Sequence, residues 1–324
     1  MSQLPEDVQI RPARSNRARP TARLAVAWAV FFAYVLVIEA WIGWAALIAP
    51  WQSLHPGQVA LAVFLFLLSY AVRAQRLYDY LRDAMRGRWL VALRLMVIHN
   101  ALNNLLPMRS GELSFPLLAK RYFALDYGRS VPALLWFRLL DLQTIATIGG
   151  TVLVSEAWSW QLAILIAVPC SLLPAVVFTV RNGLRKRVEG WHEGKLSLLT
   201  LTVLDGLPQN VQQFVRSWLL TWANWLLKLL VLAWLLMQFV EIDNLGAVMG
   251  AIGGELTSVL PIHAPAGVGT YETGIVAAIL PFGASVKSAL EAAVNTHLFV
   301  LGATLASAGA ALLIPAPSAR RLGE

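Results

Sequence analysis

Long apolar runs follow one another along most of this 324-residue chain. About 20 apolar residues cross a bilayer as an α-helix, because lipid offers no partner for a backbone amide and a helix satisfies its amides internally. Hydrophobic residues make up 58% of the sequence and charged residues only 14%, which excludes an ordinary soluble domain. The predicted fold class is therefore all-α, a polytopic helical membrane protein. Six uninterrupted spans are predicted, at about Leu24–Ile48, Gly57–Tyr78, Val131–Ser155, Ser159–Val180, Val215–Val240 and Lys287–Ile314.

Two further apolar segments, Trp89–Phe123 and Leu245–Pro281, are long enough to cross the membrane but are interrupted near the middle. Proline lacks a backbone donor and disrupts the helix around it, so each segment is predicted to contain a helix break. Ionisable residues lie beside both interruptions. The residues predicted to break the two helices are Pro107, Gly111, Pro261 and Pro265.

Lysine and arginine are distributed unevenly between the connecting loops. If the N-terminus is cytoplasmic and the six spans alternate, every basic cluster lies inside and Lys287 is the one basic residue of an outer connection. This distribution is typical of inner-membrane proteins. Residues 1–23, rich in Pro, Ser and Arg, are then a disordered basic cytoplasmic tail. Residues 24–315 form one transmembrane domain, and 316–324 form a second cytoplasmic tail.

The same alternation gives the two broken segments opposite orientations, provided that each enters and leaves at one face or crosses twice. Residues about 57–155 and 215–314 then form two inverted halves, each with a span, a broken segment and another span. Paired interrupted helices in inverted halves indicate a transport site near the middle of the membrane.

Polar residues at helical spacing precede the first break. His99, Asn103 and Asn104 recur at intervals that place them on one helix face leading to the break. We predict that this face lines a polar cavity. The alternative is that these side chains join neighbouring helices by hydrogen bonds.

The break itself contains a carboxylate and a cation. Ser110 is a suitable N-cap for a half-helix that restarts at Gly111, which places Glu112 in the first turn. Arg109 lies three residues before Glu112 and is predicted either to neutralise it or to contact a phosphate.

The second break has the same features. Gly267 and Gly269 allow the chain to unwind, Thr270 is the expected cap, and Glu272 falls in the first turn. His263 adds positive charge. Because half-helix N-termini present free N–H groups, an anionic headgroup is the expected ligand between the breaks. The alternative role of both glutamates is to stabilise the helix N-termini.

Other charges fall inside the predicted spans. Arg138 and Asp141 are three residues apart and are predicted to form a structural ion pair. Arg73 and Arg76 are predicted to extend toward the inner headgroups. Lys228 has no partner that the sequence identifies.

Motifs for catalysis or metal binding are not found. Cys170 is the single cysteine, so neither a disulfide nor a thiolate cluster can form. The sequence lacks a paired acidic metal motif, a Ser–His arrangement and a phosphate-binding glycine loop. We predict no catalytic residue, no metal and no cofactor. The net charge of +8 lies mainly in short loops, so nucleic acid is not an expected partner.

The two breaks resemble a known family. "NNLLPMRSGELSFPLLAKRY" is similar to the Pro-x-Arg-x-Gly-Glu region of the lysylphosphatidylglycerol synthase transmembrane family, also called the flippase-like domain. The stretch from Arg138 to Asp141 resembles its charged helix, and "LPIHAPAGVGTYE" resembles its Pro-Gly-x-Gly-x-x-Glu region, with Ala266 as an insertion. The resemblance covers roughly Leu24–Pro315.

This resemblance implies an integral protein of the bacterial inner membrane that moves phospholipids or lipid-linked molecules between leaflets. Some relatives carry a fused soluble aminoacyltransferase domain, which this chain is expected to lack. Two alternatives stay open: an intramembrane lipid-modifying enzyme and a non-transporting subunit of a lipid-synthesis system. None of the three specifies the lipid, the direction, the coupling ion or the oligomeric state.

Overall fold

The computed structural model describes residues 32–190, 194–259 and 265–316, with side chains except at 107–109, 258–259 and 265. Within these ranges every regular element is a helix. Residues 1–31, and with them the predicted N-terminal tail, lie outside the described residues, as do Pro261, His263 and residues 317–324. In chain order the α-helices are α1 (Phe32–Trp41), α2 (Trp44–Ile48), α3 (Pro56–Tyr80), α4 (Arg82–Met85), α5 (Trp89–Leu105), α6 (Ser114–Phe123), α7 (Tyr127–Ala157), α8 (Trp160–Glu189), α9 (Lys195–Asp205), α10 (Val211–Leu236), α11 (Asn244–Val259), α12 (Thr270–Ile279) and α13 (Val286–Leu312).

Five of these helices, α3, α7, α8, α10 and α13, are long and apolar enough to cross a membrane. They correspond to five of the six predicted spans. The first predicted span is different, because the chain bends by 83° between α1 and α2. Gly43 lies at the bend with φ 84°, a conformation that glycine adopts without steric cost. The straight span predicted to reach Ile48 therefore ends near Trp41.

The helices of the two halves have matching neighbours. In the first half α3 packs on α5, α5 contacts α6, and α6 contacts α7; in the second half α10 packs on α11, α11 on α12, and α12 on α13. Between the halves α3 lies along α10, α5 contacts α13, and α11 contacts α7. The sequential contacts of the first half therefore have counterparts in the second.

Helices α11 and α12 form a tightly packed pair. A Cβ atom at Gly253 would overlap the carbonyl oxygen of Gly274, and one at Gly274 would overlap that of Gly253. Small residues let membrane helices approach this closely. The two helices of the second broken segment thus pack side by side, with α11 against α10 and α12 against α13.

Candidate functional site

At the first break a 3₁₀ helix separates α5 from α6, so a new α-helix does not begin directly after the break. Helix α5 ends at Leu105, residues Pro107–Leu113 form the 3₁₀ helix, and α6 begins at Ser114. The predicted break near Pro107 is confirmed, but the prediction that Ser110 caps a helix starting at Gly111 is wrong. Pro116 falls in the first turn of α6, where the missing N–H of a proline leaves no helical hydrogen bond unmade. Glu112 consequently lies before α6 and not in its first turn. The side chains of Pro107 and Arg109 are outside the described part of the site.

Gly111 presses the 3₁₀ segment against the end of α5. A Cβ at this position would overlap the carbonyl oxygen of Leu102 and the Cα of Asn103. This close approach places the next residue, Glu112, beside His99 of α5, with 3.9 Å between Oε2 and Nε2.

The Gly111 contact makes a testable prediction. Gly111→Ala is expected to lower the stability of the detergent-solubilised protein by about 1–3 kcal/mol, the usual effect of adding a methyl group where none fits. Thermal unfolding followed by fluorescence measures it. Gly150→Ala in α7 is the matched control, because its added Cβ meets no atom within 4 Å. Equal melting temperatures for the two variants would contradict the contact.

Glu112 forms an ion pair with Arg138 of α7. Its Oε1 lies 2.7 Å from Arg138 Nη2, and Arg138 Nε donates to Oε2 at 3.3 Å. The Nη2 group also donates to His99 Nε2 at 3.3 Å, and His99 Nδ1 lies 2.9 Å from Ser114 Oγ. The Arg138 and Glu112 side chains are 23% and 21% exposed, so this pair is open to the surroundings of the bundle.

A buried charge network extends inward from Arg138. Asp141 lies 3.7 Å from Arg138 Nη1, as the sequence predicted, but its closer partner is Arg76 Nη1 at 2.7 Å. Arg76 also donates to Thr221 of α10, and Trp225 Nε1 donates to Asp141 at 3.0 Å. The Arg76 and Asp141 side chains are only 3% and 4% exposed. The prediction that Arg76 extends toward the headgroups is therefore wrong, because a carboxylate 65 residues away holds it inside.

Arg73 is also buried, which corrects the same prediction for this residue. Its Nε donates to Asn224 Oδ1 at 3.2 Å, and its Nη1 donates to Asn100 Oδ1 at 3.4 Å. The guanidinium lies over the Trp225 ring, 5.1 Å from its centre. Arg73 thus connects α3, α5 and α10 at the boundary between the two halves.

The polar residues on one face of α5 contact two different clusters. His99 joins the Glu112 pair, whereas Asn104 donates to Thr304 of α13 at 3.2 Å. Asn103 is partly buried, and its Oδ1 has no hydrogen-bond partner among the described residues. The predicted shared face exists, but its residues serve two different clusters.

The described part of the second break contains three residues with positive φ. Ala266, Gly267 and Gly269 have φ of 54°, 74° and 79°. For Ala266 this conformation costs roughly 1–2 kcal/mol. Helix α12 starts at Thr270, and Glu272 lies in its first turn as predicted. The cap is Gly269 rather than Thr270, because Glu272 Oε2 accepts a hydrogen bond from Gly269 N at 2.8 Å.

Glu272 forms a pair with His297 of α13. The carboxylate Oε1 lies 2.7 Å from His297 Nδ1 and accepts a second hydrogen bond from Tyr34 of α1 at 2.6 Å. Tyr271 stacks on the imidazole with ring centres 4.5 Å apart. The Glu272 and His297 side chains are 2% and 6% exposed, so this pair is enclosed where the Glu112 pair is open.

Lys228 and Glu255 form a third buried pair between α10 and α11. Their Nζ and Oε2 atoms are 2.6 Å apart. The ammonium also lies 5.5 Å from the centre of the Phe66 ring, which belongs to α3. A small cavity of about 20 Å³ lies between this pair and His297. Its other lining residues are Asn104, Ala266, Tyr271, Val300 and Leu301.

These clusters, and nearly all of the described helices, lie inside residues 22–308, which match the family model described as the lysylphosphatidylglycerol synthase TM region. The chain belongs to this family. It is therefore a membrane protein of a family connected with lipid metabolism or transport. No curated protein sequence matches the chain.

The two glutamate pairs of this lysylphosphatidylglycerol synthase TM-region protein occupy equivalent places in its halves. Arg138 lies 26 residues after Glu112, and His297 lies 25 residues after Glu272, in each case on the span that follows the break. Reasoning from the sequence missed both partners. The signal was present, since each break glutamate has a basic residue at nearly the same distance along the chain.

Proposed function

We propose that the protein is a flippase-like transporter that moves a phospholipid or a lipid-linked molecule with an anionic headgroup between leaflets of the bacterial inner membrane. In this proposal both termini are cytoplasmic, as the distribution of basic residues indicates. The observation that carries the proposal is the charge network that starts at the open Glu112–Arg138 pair and continues through Asp141 to Arg76 between the two halves.

The network is costly to bury, which supports a function beyond stability. Removing charges from water costs several kcal/mol per ion, and an apolar packing of similar volume is often equally stable. Ionisable groups inside a membrane are therefore functional by default. Among the described side chains, Arg76 and Arg138 pair with Asp141 and Glu112, whereas Arg73 is held by the neutral amides of Asn224 and Asn100. This concentration of guanidinium groups suits an anionic headgroup.

Arg138 is the residue best placed to receive a phosphate. Its guanidinium already binds a carboxylate through two nitrogens and is partly exposed. Guanidinium binds phosphate with the same two-pronged geometry, so a lipid phosphate can replace Glu112 on Arg138 without rearranging the rest of the network. Glu112 would then act by competing with the headgroup and favouring its release.

An apolar groove provides a place for an acyl chain. It lies between α3 and α10, has a volume of about 350 Å³, and is lined by Gln58, Leu61, Ala62, Leu65, Leu227, Leu230, Val231 and Trp234. The same two helices bring Arg73 and Asn224 together. A lipid with its headgroup on the network can thus keep a chain against these helices while the rest remains in the bilayer.

The groove makes a testable prediction. Leu61→Trp should fill part of it and displace about two methylene groups of the chain, each contributing about 0.8 kcal/mol. Lipid movement should slow roughly tenfold. Phe64→Trp is the matched control, because Phe64 lies on the same helix, is similarly exposed and does not line the groove. Equal rates for the two variants would exclude the groove from the lipid path.

The proposal is tested with purified protein in liposomes that contain fluorescent phospholipids. Dithionite bleaches outer-leaflet label, so movement from the inner leaflet appears as a continuing loss of fluorescence. Wild-type protein should accelerate this loss for at least one anionic lipid, and the Glu112→Gln, Glu272→Gln double variant should not. The transport proposal is wrong if wild type matches empty liposomes for every lipid class. A lipid species missing from a deletion strain would instead favour the enzyme alternative.

A further inference from the structure

The two glutamate pairs differ in the chemistry of their basic partners. A guanidinium such as that of Arg138 can only donate hydrogen bonds, whereas an imidazole such as that of His297 carries a ring nitrogen that can accept a proton. They also differ in access, since the Arg138 pair is open and the His297 pair is enclosed. Only the second pair therefore combines a titratable base with a site closed to a headgroup.

His99, which lies beside the first break, uses both of its ring nitrogens. Arg138 can only donate, so His99 Nε2, at 3.3 Å from it, is an acceptor without a proton. The ring proton is then on Nδ1, 2.9 Å from the Ser114 hydroxyl. Both ring nitrogens of His99 are therefore engaged by these contacts.

His297 of α13, which pairs with the glutamate of the second break, is arranged differently. Glu272 accepts hydrogen bonds from Gly269 N and from the Tyr34 hydroxyl, as an ionised carboxylate does. His297 Nδ1, 2.7 Å from the same carboxylate, is then the donor. This leaves Nε2 to receive a second proton. The adjoining cavity of about 20 Å³ is large enough for one water to deliver it.

Four ionisable side chains form the cluster around the cavity: Glu272, His297, Lys228 and Glu255. Lys228 and Glu255 pair at 2.6 Å, so an ionised Glu272 beside a neutral imidazole leaves these four side chains with one negative charge. A proton on His297 makes the four neutral, which suits their enclosure. The titratable and charged groups that face the cluster are Tyr34 of α1, Tyr70 and Arg73 of α3, Lys228 of α10, Glu255 of α11, Tyr271 and Glu272 of α12; α5 contributes the uncharged Asn104.

We propose that His297 Nε2 is the proton-binding site that couples lipid movement to the proton gradient, while the Glu112–Arg138 pair handles the headgroup. This inference rests on the proposed transport function. One proton passes from water on one side to Nε2, which turns the neutral imidazole into imidazolium. The same proton leaves Nε2 for water on the other side when the halves have rearranged. No bond other than N–H forms or breaks.

The experiment uses the full-length protein in liposomes with a pH difference of one unit across the membrane. With one proton per lipid, this gradient can shift the steady-state ratio of label between leaflets by up to about tenfold. Dithionite bleaching at steady state measures the ratio, and an entrapped pH-sensitive dye measures proton movement. Wild type should show both the shift and a proton flux that depends on lipid.

Two matched variants separate the histidines. His297→Gln should still move lipid but give equal leaflets at any gradient. His99→Gln, the same change at the other break, should slow movement and keep the shift. Glu272→Gln, which removes the acceptor of the Nδ1 proton, should also lose the shift and serves as a second test if His297→Gln fails to fold.

The outcomes distinguish this inference from the transport proposal. If wild type moves lipid but its leaflet ratio ignores the gradient, coupling at His297 is overturned and transport stands. The same holds if His297→Gln keeps the wild-type shift. If wild type moves no lipid, the transport proposal itself fails, and coupling fails with it.

Discussion

Asp141→Asn is expected to destabilise the folded protein by about 3–5 kcal/mol, the usual effect of removing one member of a buried ion pair. Asp141 lies 2.7 Å from Arg76 and 3.7 Å from Arg138, and it accepts from Trp225 Nε1 at 3.0 Å. Without its charge, Arg76 becomes an uncompensated cation in a site that is 3% exposed. Since three helices, α3, α7 and α10, meet at this carboxylate, the loss should affect the whole bundle.

Thermal unfolding in detergent, followed by the loss of the monodisperse peak in size-exclusion chromatography, measures the Asp141 effect. Arg185→Ala is the matched control, because Arg185 pairs with Asp205 where the two side chains are 41% and 51% exposed. An exposed pair contributes only about 0–1 kcal/mol. If Asp141→Asn melts no earlier than Arg185→Ala, the inward network does not hold the helices together.

Arg138→Gln is expected to slow lipid movement roughly 10- to 150-fold while the protein remains folded. A hydrogen bond to a charged group contributes about 1.5–3 kcal/mol, and each 1.36 kcal/mol corresponds to a factor of about ten. Because both side chains are partly exposed, the loss of Arg138 leaves Glu112 partly exposed rather than buried. Stability should therefore fall less than in Asp141→Asn. The dithionite assay and thermal unfolding, applied to the same preparation, measure both.

A double-mutant cycle identifies the partner of Arg138. Arg138→Gln and Glu112→Gln should be strongly non-additive, since the two side chains touch at 2.7 Å. Arg138→Gln and His297→Gln should be closer to additive, because His297 belongs to the other cluster. Additive effects of the first pair would mean that Glu112 and Arg138 act independently in lipid movement.

Much of the fold follows from local features of the sequence. Five spans are confirmed because each is a continuous apolar run longer than the bilayer requires. The first break is confirmed near Pro107 because proline acts on its own helix. Glu272 lies in a first turn because Gly269 and the carboxylate three residues later form a local cap. None of these depends on distant parts of the chain.

The partners of the charges could not be predicted, because they are set by packing between helices. Arg76 and Asp141 are 65 residues apart, and nothing local distinguishes Arg76 from a residue that reaches the headgroups. Arg138 has Asp141 three residues away, which conceals its closer contact with Glu112. The bend at Gly43 was missed for a related reason, since its run of apolar residues continues through the turn.

A map of the protein in lipid nanodiscs, determined by electron cryo-microscopy with an anionic phospholipid present, tests the central claim most directly. The account expects headgroup density within hydrogen-bond distance of Arg138, with an acyl chain between α3 and α10. The His297–Glu272 pair should remain free of headgroup density. Lipid density confined to the outer surface of the bundle, with Arg138 still bound to Glu112 in every class of particles, would contradict a headgroup site between the two breaks.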